Sequence, residues 1–291
     1  MTIIVSDVCK TFGKHAALKN VNVSFKENTI YGLLGKNGAG KTTLMQLIAG
    51  HTLPTSGEIL INGQSPFNNR RVLQDVCFIN ESSNFKRRLK VKDVLKISSL
   101  FYPNWSQNTA NRLMEEFQLK PNVNARGLSK GMESALGIII GLASRAKMTI
   151  LDEPYIGLDA SARYTFYDLL LEEFERYPRT FILSTHLIDE VSRLFEEVVV
   201  LKDGKILFQE GADALIQKSI KVSGAREKVD TFIKGKNVID EKEIMGIKTA
   251  LVYGEAFSIE EATAVGLEAE RSTMQRLMVH LTDSKEETIH V

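Results

Sequence analysis

Between residues 30 and 50 the chain passes from an apolar run through a glycine-rich turn into a helical pattern. No other part of the sequence constrains the fold as tightly. The run Ile30-Tyr31-Gly32-Leu33-Leu34 does not alternate, as suits a strand buried on both faces. It leads into Gly35-Lys36-Asn37-Gly38-Ala39-Gly40-Lys41-Thr42, which fits the pattern G-x-x-x-x-G-K-[ST]. Residues 41–49 then read as a helix closed by Gly50. Glycines let the backbone N–H groups of such a loop turn inward, and the helix N-terminus adds positive dipole, so the loop is suited to cradle phosphate. Lys41 then reaches the β- and γ-phosphates of a nucleotide, the Thr42 hydroxyl binds magnesium, and Thr43 holds a further phosphate.

The rest of the chain supplies the matching architecture. Apolar β-rich runs at residues 148–151, 180–183 and 198–201 alternate with helix-like segments, which predicts an α/β fold with a parallel sheet wrapped on both faces. Residues 2–12 and 17–25 read as further strands, and residues 58–61 with the following Asn-Gly as an edge strand and turn. Residues 91–145 are mostly helical by pattern, punctuated by Pro103, Pro121 and Gly127. After about Ala214 the texture changes. Short strands are expected at 220–223, 238–244 and 248–253, and two helices start at the capping boxes Ser258/Glu261 and Ser272/Gln275. In the second helix Met274, Leu277, Met278 and Leu281 share one face. The expected division is therefore a domain over residues 1–214 and a small α+β subdomain over 215–291.

The run Met148-Thr149-Ile150-Leu151 ends in two carboxylates, Asp152 and Glu153. Asp152, at the strand's C-terminal end, can hold the magnesium through water, and Glu153 is placed to polarise an attacking water as general base. A solvated acidic pair opening a loop before Pro154 is the plainer alternative, and the glycine loop weighs against it. Composition excludes other classes. The net charge is +1, from 37 basic and 36 acidic residues, so global charge gives no reason to invoke nucleic acid. The longest apolar stretch, residues 135–143, falls well short of the roughly 20 residues that cross a membrane, so any conduit lies on another polypeptide. Residues 1–10 lack a secretion leader. Two cysteines, Cys9 and Cys77, match neither a disulfide framework nor a zinc motif and suggest a reducing, cytoplasmic compartment.

Leu128-Ser129-Lys130-Gly131-Met132 resembles the signature loop of ABC-type ATPases, commonly written LSGGQ, although a helix N-cap at Ser129 explains it about as well in isolation. Gly157-Leu158-Asp159 and Ser184-Thr185-His186 follow in the family's order, and the resemblance covers residues 1–214. It implies a P-loop NTPase (RecA-like) core with an antiparallel β subdomain, a helical subdomain over about 84–146 and a small α+β C-terminal extension. It further implies ATP and Mg2+ as cofactors. Phe12 would stack on adenine, and Gly35, Asn37, Gly38, Ala39, Gly40, Lys41, Thr42 and Thr43 would hold ATP. Ser129, Gly131 and Asp159 would meet the ATP of a partner subunit, and His186 would act beside Glu153. For Phe12 the alternative is a plain core residue, and for His186 a structural histidine. Glu81 stands where the family's Q-loop glutamine is expected. A carboxylate there can still ligate the metal alongside Thr42 and Asp152, but it cannot donate a hydrogen bond as an amide does.

Lys130, Met132, Glu81 and the tail resemble the ATPases of Gram-positive bacitracin-type and phenol-soluble-modulin exporters. This implies export of a peptide or amphipathic substrate through a separate membrane-spanning subunit at the cytoplasmic face of the membrane. The expected cycle is head-to-tail pairing with a second ATPase subunit. Lys86, Arg87, Arg88, Lys90 and Lys92 form either a solvated basic face or a contact for acidic partner loops or lipid heads. The alternative function is a soluble ABC ATPase acting on ribosomes, a class that normally carries two such domains in one chain. A DNA-maintenance ATPase would need a long coiled coil, and no sustained heptads occur between Gly40 and Ser129. Intact Glu153 and His186 speak against a regulatory module without turnover.

Overall fold

The computed structural model describes residues 1–80, 89–254 and 258–283. They separate into two compact units, one of residues 1–186 and 199–207, the other of residues 187–198 and 208 onward.

The first unit opens with two long strands, β1 (Ile3–Phe12) and β2 (His15–Phe25). After β3 (Ile30–Leu34) and α1 (Lys41–Ile48) comes β4 (Ser56–Ile61), which closes a three-stranded antiparallel sheet in the order β2-β1-β4. The short α2 (Arg70–Leu73) leads into β5 (Val76–Ile79). Three helices follow, α3 (Val91–Phe101), α4 (Gln107–Glu116) and α5 (Lys130–Ala143). Then come β6 (Met148–Asp152), α6 (Ala160–Arg176) and β7 (Thr180–Ser184). A second sheet has the order β5-β6-β7-β3-β8-β9, where β8 is Glu197–Lys202 and β9 is Lys205–Gly211. The β5–β6, β6–β7 and β7–β3 pairs are parallel, as expected.

Strands β3, β6 and β7 are buried along their whole length, which is why their sequences are continuously apolar. Helix α5 lies so close to β5 that a Cβ at Gly137 would come within 2.7 Å of Ile79. The three-stranded sheet shares a core with α1 and the parallel strands: Ile3, Val5 and Phe25 belong to one buried cluster with Leu33, Leu44, Met148 and Ile182. The α3–α4 turn carries the chain's one tryptophan, Trp105, whose indole donates to Gln107 at 3.2 Å. Beneath α6, buried Arg179 donates to the carbonyls of Leu142 and Tyr177, both at 3.1 Å, and lies 3.9 Å from the buried Glu173 carboxylate. Burial lowers the Arg179 pKa to about 10 despite that carboxylate. Among the described residues no helix is long and apolar enough to cross a membrane.

The second unit begins with α7 (Ile188–Val191). Its later elements are α8 (Ala212–Gln217), β10 (Ser219–Ala225), α9 (Arg226–Ile233), β11 (Val238–Ile244), β12 (Ile247–Tyr253), α10 (Ile259–Ala264), β13 (Glu268–Glu270) and α11 (Met274–Asp283). An antiparallel sheet in the order β11-β12-β10-β13 buries Ile220, Val222, Ala250 and Val252 with Val229 of α9 and Ala262 of α10. Met274, Leu277, Met278 and Leu281 are all buried, as the helical spacing predicts. Ser258 accepts from the Glu261 N–H as expected. The second capping box is not made as the sequence suggests. Thr273, not Ser272, accepts from the Arg276 N–H, and the Gln275 N–H donates to Asp189 instead.

Candidate nucleotide site

The glycine loop is held against its neighbours by backbone contact. Gly35 (φ 148°) and Gly40 (φ 106°) lie where side chains are disfavoured, and a Cβ at Gly35 would sit 2.3 Å from the Leu201 carbonyl. The Ala39 N–H donates to the Lys36 carbonyl at 3.1 Å, closing the turn. Lys41 is buried, and its ammonium donates to the carbonyls of Gly35 at 2.6 Å and Lys36 at 3.2 Å. Burial pulls the Lys41 pKa down, while the charges of Glu153 and Asp152 oppose the shift.

Strand β6 delivers the two carboxylates to this loop. Thr42 donates its hydroxyl to Asp152 Oδ2 at 2.7 Å, and Ser184 at the end of β7 donates to Oδ1 at 2.6 Å. Ser184 also accepts from the Glu153 N–H at 3.0 Å. Glu153 has φ 50°, a left-handed conformation that side chains adopt rarely and mostly at constrained sites. Its Oε2 lies 2.8 Å from His186 Nδ1 and also accepts from the Tyr155 phenol.

A cavity of about 370 Å³ is lined by Phe12, Asn37, Gly38, Gly40, Lys41, Thr42, Thr43, Asp152 and Glu153. Nine of the residues singled out in the sequence thus meet around one space. Gly35 and Ala39 belong to the same loop, and His186 reaches it through Glu153. Phe12 is 49% exposed, so it is a presented aromatic and not a core residue. Its ring lies under the Lys10 ammonium at 5.0 Å.

Ser129, Gly131 and Asp159 line a different cavity, of about 380 Å³. Ser129 is an N-cap, accepting from the Met132 N–H at 3.3 Å at the start of α5, and Asp159 caps α6 by accepting from Ala162 at 2.8 Å. Gly131 packs against the loop after Glu153, where a Cβ would come 2.3 Å from the Gly157 carbonyl. Glu81, with Lys86, Arg87 and Arg88 of the basic cluster, lies outside the described residues.

Tyr155, Ser184 and Thr185 also belong to the site, and no motif in the sequence assigns them to it. Ser184 and Thr185 stand beside His186 and could have been suspected from that alone. Nothing in the spacing flags Tyr155.

The donor set suits magnesium in one respect. Thr42 and Asp152 present two oxygens beside the loop, and this ion binds through one or two protein ligands together with substrate phosphates and waters. These two residues would hold it.

The profile of the ABC transporter family matches residues 18–156. The chain is 31% identical over 212 residues to the lantibiotic transport ATP-binding protein SrtF of Streptococcus pyogenes, covering 72% of this chain and 90% of that protein. It is 30% identical over 224 residues to the bacitracin transport ATP-binding protein BcrA of Bacillus licheniformis, covering 76% and 73%. A probable sulfate/thiosulfate import ATP-binding protein of Chlorella vulgaris is also 30% identical over 216 residues, covering 71% and 90%. Among solved structures, the dimeric structure of a bacterial ABC transporter cassette aligns with a TM-score of 0.64 at 25% identity, covering 72% of this chain and 98% of that one.

Proposed function

The chain belongs to the ATP-binding subunits of ABC transporters and is an ATPase, and from that premise we propose that it drives export of a peptide or amphipathic substrate through a separate membrane-spanning subunit. Each ATP is sandwiched between Lys41 of one ATPase subunit and Ser129 of a second, and the closed pair reopens on hydrolysis. The observation that carries this reading is the split of the site. Lys41, Asp152 and Glu153 line one cavity, Ser129, Gly131 and Asp159 another, and each is half of what the nucleotide needs. The direction and cargo rest on the lantibiotic and bacitracin relatives, and the import relative makes direction the part most in need of test.

In this mechanism Lys41 and the loop N–H groups hold the phosphates. Magnesium, when bound by Thr42 and Asp152, neutralises charge on the phosphate oxygens. Glu153 takes the proton of the water that attacks the γ-phosphorus as the bond to the bridging oxygen breaks. His186, through Nδ1, orients the Glu153 carboxylate. The second unit carries none of these residues, and we assign it to assembly. The deciding experiment is Glu153→Gln. The variant should bind ATP with unchanged affinity, lose nearly all turnover and accumulate as an ATP-dependent dimer in light scattering. Turnover at the wild-type rate would refute the assignment of the base. A chain that stays monomeric with ATP bound would refute the sandwich.

A further inference from the structure

Tyr155 is 4% exposed and sits where β7 meets the loop after β6, at the centre of the hydrogen bonds that reach Glu153. We propose that Tyr155 is a positioning residue for the base: its phenol holds Glu153 Oε2 so that Oε1 is left to meet the attacking water. The inference rests on the reading of Glu153 as that base.

A phenol has one proton to give and can accept at its oxygen. Three close partners surround the Tyr155 hydroxyl, Glu153 Oε2, Thr185 Oγ1 at 2.6 Å and the His186 backbone N–H at 2.9 Å; a fourth group, His186 Nδ1, lies farther off at 3.4 Å and is nearer Glu153 Oε2, at 2.8 Å. An ionised carboxylate only accepts, and a backbone N–H only donates. The phenol proton therefore goes to Glu153, the His186 N–H donates to the phenol oxygen, and the Thr185 hydroxyl donates to it as well. Among the three close partners, only this orientation of the phenol proton gives the carboxylate a donor. Burial and the charge of Glu153 both push the Tyr155 pKa far up, so the phenol keeps its proton.

Two groups thus hold the same carboxylate oxygen, and they differ in how tightly they are themselves fixed. The His186 side chain is 59% exposed. Tyr155 is walled in. Its phenol keeps Oε2 in place whatever partner the exposed imidazole takes. Among the described residues Glu153 Oε1 has no hydrogen-bond partner, and Glu153 lines the nucleotide cavity, so Oε1 is the oxygen available to water. The phenol bond restricts which rotamers the Glu153 side chain can adopt.

The test is steady-state ATPase kinetics on the full chain, with ATP affinity measured separately. Tyr155→Phe keeps the ring and removes only the hydroxyl. We expect kcat to fall on the order of ten- to a hundred-fold, the size associated with misplacing a reacting group by about an ångström, while KM and the Kd for ATP stay within about two-fold. Thr185→Val should lower kcat in the same direction, and Thr185→Ser should recover most of that loss. In a Glu153→Gln background, single-turnover rates should show no further effect of Tyr155→Phe, because the oxygen it positions is no longer a base. A wild-type kcat in Tyr155→Phe would overturn the proposal even if Glu153→Gln is inactive. So would a loss that is additive with Glu153→Gln, or a Thr185→Ser variant no better than Thr185→Val. If Glu153→Gln itself turns over normally, the base assignment fails instead.

Discussion

Lys41→Ala tests the phosphate loop most directly, and the structure sets the size of its effect. The Lys41 ammonium donates to two carbonyls, of Gly35 and Lys36. Phosphate oxygens must therefore replace protein acceptors and not only water. What counts is the difference between a hydrogen bond to an anion and one to a neutral carbonyl. The ammonium is charged in both states, so the gain is the added attraction of the anion, about 1–1.5 kcal/mol for each phosphate engaged at hydrogen-bond distance in a water-like dielectric. Contact with both the β- and γ-phosphates gives about 2–3 kcal/mol, or roughly 30- to 150-fold in affinity. Because Lys41 is buried, alanine also leaves those two carbonyls without this donor, so the folded state must be verified by circular dichroism. The assay is isothermal titration with a non-hydrolysable ATP analogue and magnesium. A folded variant whose Kd lies within three-fold of wild type would refute the reasoning, since the lysine would then gain nothing by exchanging carbonyls for phosphates.

Two further substitutions probe the scaffold. Gly131→Ala places a Cβ 2.3 Å from the Gly157 carbonyl, so the loop after Glu153 must shift; we expect ATPase activity to drop at least ten-fold with about 1–3 kcal/mol lost in urea unfolding, and wild-type activity would count against the close approach. Arg179→Met strips the Leu142 and Tyr177 carbonyls of a donor and weakens the charge balance of Glu173; a loss of about 3–5 kcal/mol is expected, and a change below about 1 kcal/mol would mean that Arg145, at 3.7 Å, neutralises Glu173 alone.

The parts of the site that could be read from sequence are those contiguous along the chain. Gly35 to Thr42 announces itself because one turn needs all its glycines in sequence, and Asp152 and Glu153 because a buried strand makes charged residues conspicuous at its end. The Met274–Leu281 face was legible because burial follows the helical period. The network around Tyr155 was not legible. It joins residues some thirty positions apart, and its meaning depends on which proton each group carries, which no spacing encodes. The left-handed turn at Glu153 was likewise hidden, since nothing in Asp-Glu-Pro demands it. At α11 two hydroxyl residues stand side by side, and pattern alone chose the wrong one: the packing of Asp189 against Gln275 decides where the helix begins.

Trp105 gives the molecule a private optical channel. It is the only tryptophan in the chain, half-buried in the turn between α3 and α4, with its backbone N–H on the Tyr102 carbonyl at 3.1 Å and its indole N–H on Gln107. Excited at the red edge of tyrosine absorption, the protein emits from that turn alone. A change in wavelength or lifetime when ATP is added would register movement of the helical lobe, with the phosphate loop and the second unit silent. The same emission followed through a urea titration would report the melting of α3 and α4, which circular dichroism averages with every other helix.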